Sequence, residues 1–125
     1  MRIVYCIPAT SNSGGMERVL ARKVNYLTEL GHELIVITTD QRGASPFFPL
    51  NEAVQQYDLG INYDETNGKG ILAKLRSYPT KHRQHKQRLS TLLKGLRADI
   101  VISMFGDDAT LLPKMKDGSR KVLEY

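Results

Sequence analysis

Residues 2–39 run RIVYCIPATSNSGGMERVLARKVNYLTELGHELIVITT, and this stretch decides the fold. The opening RIVYCI is short, rich in β-branched and aromatic side chains, and stopped by Pro8, the pattern of a buried strand. Turn-forming residues, PATSNSGG, fill 8–15. After them Met16, Val19, Leu20, Lys23, Val24, Leu27 and Leu30 recur at steps of three and four, so the spacing predicts a helix whose apolar stripe only Lys23 interrupts. Gly31 stands where a helix needs a left-handed stop, and LIVITT at 34–39 is a near-continuous apolar run suited to a strand covered on both faces. The unit is β-α-β. Packing a helix onto a twisted sheet makes its crossover right-handed and its strands parallel.

Outward from this unit the elements are less regular. Residues 40–50 carry Gly43, Pro46, Pro49 and the pair Phe47-Phe48, which predicts an irregular loop with an aromatic plug. A weaker strand is expected over 54–59, followed by the polar, glycine-punctuated GINYDETNGKG at 60–70. From Ile71 a long helical pattern steps through Leu75, Tyr78, His82, His85, Leu89, Leu92 and Leu96, and Pro79 is expected to kink or split it into two pieces. IVISMF at 100–105 is another doubly buried strand, Gly106-Asp107-Asp108 open a short helix ending near Pro113, and RKVLEY at 120–125 forms a last strand. The order predicts an α/β domain over 1–125 with an open, mostly parallel sheet and helices on both faces. Its final strand lacks the loop and helix that normally cover a carboxyl end, which implies either a truncated chain or a second domain beyond.

Composition fits one folded unit. At 125 residues the chain buries about two-thirds of its unfolded surface, and 41% hydrophobic with 25% charged residues excludes a disordered chain. No stretch approaches the ~20 apolar residues of a membrane span, and no charged-then-apolar leader precedes the first strand, so a cytoplasmic protein is expected. Cys6, the single cysteine, lies inside the first strand; it forms no internal disulfide and serves as a small buried hydrophobe.

In an open parallel sheet, ligands bind beyond the carboxyl ends of the strands. There the first loop ends SNSGG, and Gly14 and Gly15 allow close backbone approach while the free amides of the next helix favour a phosphate. Glu17 competes: its carboxylate meets the same dipole, repels a close phosphate, and suits either substrate hydroxyls or simple capping. Tight-turn glycines beside a helix-start charge explain the spacing equally well. No glycine-x-glycine-x-x-glycine follows the first strand, and Gly68-Lys69-Gly70 lacks the Ser or Thr of a phosphate loop. Asp107 and Asp108 suit helix capping first, sugar hydroxyls second and a metal last. His82 and His85 share one helical line, but neither Cys6 nor His32 is placed to complete a zinc site, so no metal is expected. No Ser-His-Asp set, paired cysteines or carboxylate dyad is evident.

Gly14-Gly15-Met16-Glu17-Arg18-Val19-Leu20, then Asn25-Tyr26-Leu27, then Gly31-His32-Glu33-Leu34, resemble the opening of retaining glycosyltransferases of family four. Residues 1–39 carry the resemblance. It implies a B-type fold of two Rossmann-like domains, of which this is the amino-terminal, acceptor-side one; the carboxyl-terminal domain binds the nucleotide-sugar. By the same resemblance Gly14 and Gly15 approach the donor phosphates across the cleft. Gly14, Gly15, Met16 and Glu17 are the first-choice substrate-binding residues, with Phe105, Gly106, Asp107 and Asp108 as second-choice lining. The family's paired glutamates belong to the other domain, so no catalytic residue is assigned and this chain alone is expected to be inactive. Transfer would retain the anomeric configuration without protein nucleophile, cofactor or essential metal, in cell-surface polysaccharide synthesis on a glycan or lipid-linked acceptor.

Between Thr66 and Ala98 there are nine Lys or Arg and no acid, so this stretch carries +9 and the rest of the chain −4, for a total of +5. A solvated helix face explains this first, and Lys81, Arg83, Lys86 and Arg88 as a patch for anionic membrane lipid or a charged acceptor comes second. Nucleic acid is disfavoured, because few aromatics interleave the basic residues. Family members often use lipid-linked acceptors, which adds a peripheral position at the inner membrane face to the expectations. From another class comes a non-catalytic α/β ligand-binding or adaptor module that uses the basic helix at 71–97.

Overall fold

The run that opens the chain becomes β1 (Arg2–Cys6), and the other elements are ordered around it: α1 (Gly15–Glu29), β2 (Glu33–Thr38), β3 (Gln55–Asp58), α2 (Ile71–Leu96), β4 (Ile100–Ser103) and β5 (Arg120–Leu123). The computed structural model describes residues 1–11, 14–41, 43–61, 71–104 and 119–123, with 71–78 and 123 as backbone. The strand order is β3-β2-β1-β4-β5, and all four pairings are parallel. This is a Rossmann-like α/β sheet with helices on both faces.

Alternation along β1 builds two cores, because successive strand side chains point to opposite faces. Ile3, Tyr5 and Ile7 pack with Leu20 and Val24 of α1 and with Leu34 and Val36 of β2. Val4 and Cys6 face the other way, onto Leu89 and Leu93 of α2 with Ile35, Ile37 and Val101. The amino ends of the strands are clamped by charge. Arg2 Nε contacts Glu33 Oε2 at 2.8 Å, its guanidinium also donates to Leu96 O, and its backbone N–H donates to Asp99 Oδ2 at 2.8 Å.

Three expectations are corrected. The buried stripe of α1 runs through Leu20, Ala21 and Val24, with Met16 and Leu27 partly buried, while Val19 and Leu30 are exposed. Residues 16, 20, 24 and 27 fall on one line of a helix, whereas 19, 23, 26 and 30 form a neighbouring line that the sheet does not reach. Pro79 does not split α2, which runs as one helix from Ile71 to Leu96. A proline removes a single backbone donor, and seventeen residues of helix follow it, packed through His85, Leu89 and Leu93. Phe47 is no plug: it is 58% exposed and meets Phe48 edge-on, with ring centroids 5.0 Å apart, while Leu50 and Val54 fill the core below. Gly31 has φ +95° and ends α1 as a left-handed stop. The short helix near Pro113 lies outside the described residues.

Two measurements check this packing. Leu89 is fully buried, so Leu89→Ala should cost about 2–5 kcal/mol in urea unfolding, against under about 0.5 kcal/mol for exposed Val19→Ala; equal effects would contradict the assigned faces. Burial also lifts the Tyr5 phenol above its ordinary 10.0 by favouring the neutral form. Stabilisation from a group raised this way is complete below the ordinary value and is lost as pH climbs through the folded value. Stability should therefore fall above pH 10, and Tyr5→Phe should flatten that fall; parallel urea midpoints for the two proteins in alkali would exclude the effect.

Candidate functional site

The strand order reverses at β1, with β2 and β3 on one side and β4 and β5 on the other. The crevice outside the carboxyl ends of β1 and β4 is therefore the switch point where open α/β sheets bind ligands. Ile7 N–H donates to Ile37 O at 3.1 Å and Met104 N–H to Cys6 O at 2.9 Å, so the end of β1 is held from both sides.

Beyond β1 the chain is pinned by a buried glutamine. Gln41 Oε1 accepts from Thr10 N–H at 2.7 Å and from the Thr10 hydroxyl at 3.1 Å, and Gln41 Nε2 donates to Ala44 O at 2.7 Å. Pro8 O accepts the amides of Thr39 and Asp40 at 3.1 and 2.8 Å, and Phe47 N–H donates to Thr10 O at 2.8 Å. Asp58 Oδ1 extends the network by accepting from Thr38 Oγ1 at 3.2 Å and Gly60 N–H at 3.3 Å. Asn25 straps the same segment to α1: its Nδ2 donates to Pro49 O at 2.9 Å, and its Oδ1 accepts Asn51 N–H at 2.6 Å. Satisfied buried amides of this kind fix a loop that propensity alone leaves open.

At the head of α1, Gly14 is the N-cap, with φ −72° and ψ 169°, and among the described residues no side chain caps the free amides. Gly14 and Gly15 are exposed, and Met16 and Glu17 are half-buried. A Cβ on Gly14 would lie 2.5 Å from Glu17 Oε2, whereas one on Gly15 would meet nothing within 4 Å. The Glu17 carboxylate thus folds back over the N-cap from the third helical position, where a negative charge matches the dipole. Exposed glycines and a carboxylate at the head of α1 make a surface suited to hydroxyl groups.

The other sequence candidates are placed unevenly. Phe105, Gly106, Asp107 and Asp108 lie outside the described residues. The four basic residues of α2 do not form one patch. Lys81 Nζ donates to Ile61 O at 3.2 Å and Arg88 Nη1 to Leu59 O at 2.5 Å, while Arg83 and Lys86 are exposed. Positions 81 and 88, seven apart, share a line of the helix that faces the loop after β3; 83 and 86 lie on another. His85 is fully buried and His82 half-buried on the packed side, and among the described residues no three His, Cys, Asp or Glu gather to hold a cation. No described helix is long and apolar enough to cross a membrane. Gln41, Phe47 and Asp58 escape a sequence reading, because nothing in their spacing announces a tertiary hydrogen bond; Asn25 stands out only as part of the quoted motif.

Gly14→Ala should cost under about 1 kcal/mol, since Ala caps poorly and displaces the Glu17 carboxylate. In a Glu17→Ala background that cost should shrink, giving a non-additive cycle by thermal unfolding. Strict additivity would mean the carboxylate does not rest over the N-cap.

No protein-family model matches the chain, and no curated protein matches it. Among solved structures it is similar to UDP-galactose 4-epimerase, at 18% identity and a TM-score of 0.39, over 83% of this chain and 37% of that one. The chain thus spans little more than a third of that structure. Its Rossmann-like fold stands on its own strand order and parallel pairing.

Proposed function

We propose that this chain is the acceptor-side domain of a retaining glycosyltransferase that transfers a sugar from a nucleotide-sugar to a glycan or lipid-linked acceptor. One observation carries the proposal: the Gly14-Gly15 turn, with Glu17 beside it, is open to solvent at the topological switch point. The motif resemblance at 14–20, 25–27 and 31–34 supplies the family. In this reading the amides of Gly14, Gly15 and Met16 face the donor diphosphate, and Glu17 accepts hydrogen bonds from sugar hydroxyls. The anomeric carbon parts from the diphosphate oxygen and bonds the acceptor oxygen, whose proton passes to the departing diphosphate. Positioning and charge stabilisation are the protein's contribution.

The test separates function from folding. Because a side chain at Gly15 meets no protein atom and an acid at the first helical position suits the dipole, Gly15→Asp should leave the melting temperature nearly unchanged. In the two-domain enzyme, the same substitution should lower transfer from a labelled nucleotide-sugar at least about tenfold, equivalent to about 1.4 kcal/mol of barrier. Unaltered transfer by the Gly15→Asp enzyme would overturn the assignment, as would a wild type that no nucleotide-sugar in a broad panel stabilises.

A further inference from the structure

On the far side of the sheet from α1, a groove runs between β3 and α2. Its volume is about 670 Å³, within the range of ligand sites. Tyr57 and Leu59 form one wall, Gln84, Gln87, Arg88 and Thr91 of α2 form the other, and Leu92 adds an apolar contact. Register explains the first wall: Tyr57 pairs with Ile37, whose side chain packs toward α2, so Tyr57 points the same way. β3 is the edge strand among the described residues, and Tyr57 is 39% exposed there.

The chemistry of the lining selects a ligand class. Among the described residues neither the Gln84 nor the Gln87 side-chain amide has a hydrogen-bond partner, and each offers two donors and an acceptor to the groove. Thr91 Oγ1 donates to Gln87 O at 3.0 Å, which leaves its lone pairs to accept. Arg88, the one cation among the described lining residues, is committed through Nη1 to Leu59 O at 2.5 Å and Gly60 O at 3.3 Å, which makes it a brace before it is an anion hook. Asp58 contributes backbone here; its carboxylate is engaged on the other face with Thr38, Gln41 and Gly60. Neutral amides and a hydroxyl beside an exposed aromatic ring match a ligand dense in hydroxyls with apolar C–H faces.

We infer that this groove binds a neutral oligosaccharide. An extended peptide paired to β3 fits less well, because the strand offers only four residues for main-chain pairing. The groove's Arg88 end lies level with the carboxyl end of β3, on the same edge of the sheet as the Gly14-Gly15 turn. β3 is two strands from β1, or about 10 Å at ordinary strand spacing. The groove and the turn thus share the carboxyl edge of the sheet on opposite faces; a role for the groove as an acceptor subsite rests on the glycosyltransferase reading, whereas oligosaccharide binding itself does not.

The experiment is a titration of the ¹⁵N-labelled chain with linear neutral hexasaccharides of glucose, mannose, galactose and N-acetylglucosamine, and separately with UDP and inorganic phosphate. At least one hexasaccharide should shift the Gln84 and Gln87 side-chain amides saturably, with its monosaccharide at least tenfold weaker. Tyr57→Ala and Gln87→Ala should each weaken that binding about tenfold or more, and Val19→Ala, on the exposed line of α1, should leave it unchanged. If no hexasaccharide moves these resonances, or if phosphate moves them equally well, the groove is not an oligosaccharide site. Glycan binding with an unaltered transfer rate in the Gly15→Asp enzyme would keep the groove and discard the transferase.

Discussion

Burial of β1 on both faces is the constraint from which the rest of the molecule follows. Val4, Cys6 and Ile7 have no exposure at all, and Tyr5 has almost none. A strand with no solvent side needs a helix on each face, and parallel neighbours on both edges require crossovers long enough to supply those helices. α1 covers one face on the way to β2, and α2 covers the other on the way to β4. Each helix runs against the strands, so each begins at their carboxyl ends. The exposed head of α1 therefore sits at the switch point as a result of how the core closes.

The elements nearest β1 are the most legible in the sequence, because their signals agree at every level. A short β-branched run, turn residues, a three-and-four repeat and a glycine stop leave one arrangement, and Gly31 adopts the φ its position requires. Legibility fails where two local signals compete for one surface. Val19 and Leu30 repeat at helical spacing as faithfully as Leu20 and Val24, and only the reach of the sheet decides which line is covered. Phe47-Phe48 looks like a core pair by composition, yet the backbone bond from Phe47 to Thr10 holds the segment across the surface. Residues 55–58 show weak strand character for a physical reason: β3 is an edge, all four residues are exposed, and polar side chains there discourage pairing with another chain.

The candidate site divides along the same line. Gly14-Gly15 is readable because turn chemistry is local. Gln41 is not, since its amide matters only once Thr10, Ala44 and Gln41 have been brought together by the sheet. The groove beside α2 is still further from the sequence. Gln84, Gln87 and Thr91 read as an ordinary solvated helix face, and what sets them apart is a wall two elements earlier in the chain, held in place by Arg88 on the carbonyls of Leu59 and Gly60. A basic count over 66–98 treats Arg88 and Arg83 alike, although one braces a loop and the other points to solvent.

Glu17 determines what the turn can do in the proposed enzyme. A helix amino terminus favours an anion by about 0.3–2 kcal/mol. Two unit negative charges 4 Å apart oppose each other by about 4 kcal/mol at an effective dielectric near 20. With its carboxylate over Gly14, Glu17 therefore outweighs the dipole, and a phosphate cannot close on these amides while the carboxylate stays there. Contact with the donor requires Glu17 to swing away, and a sugar hydroxyl that donates to it in the new position compensates for the lost dipole contact. On this account the turn answers to the sugar before it answers to the phosphate.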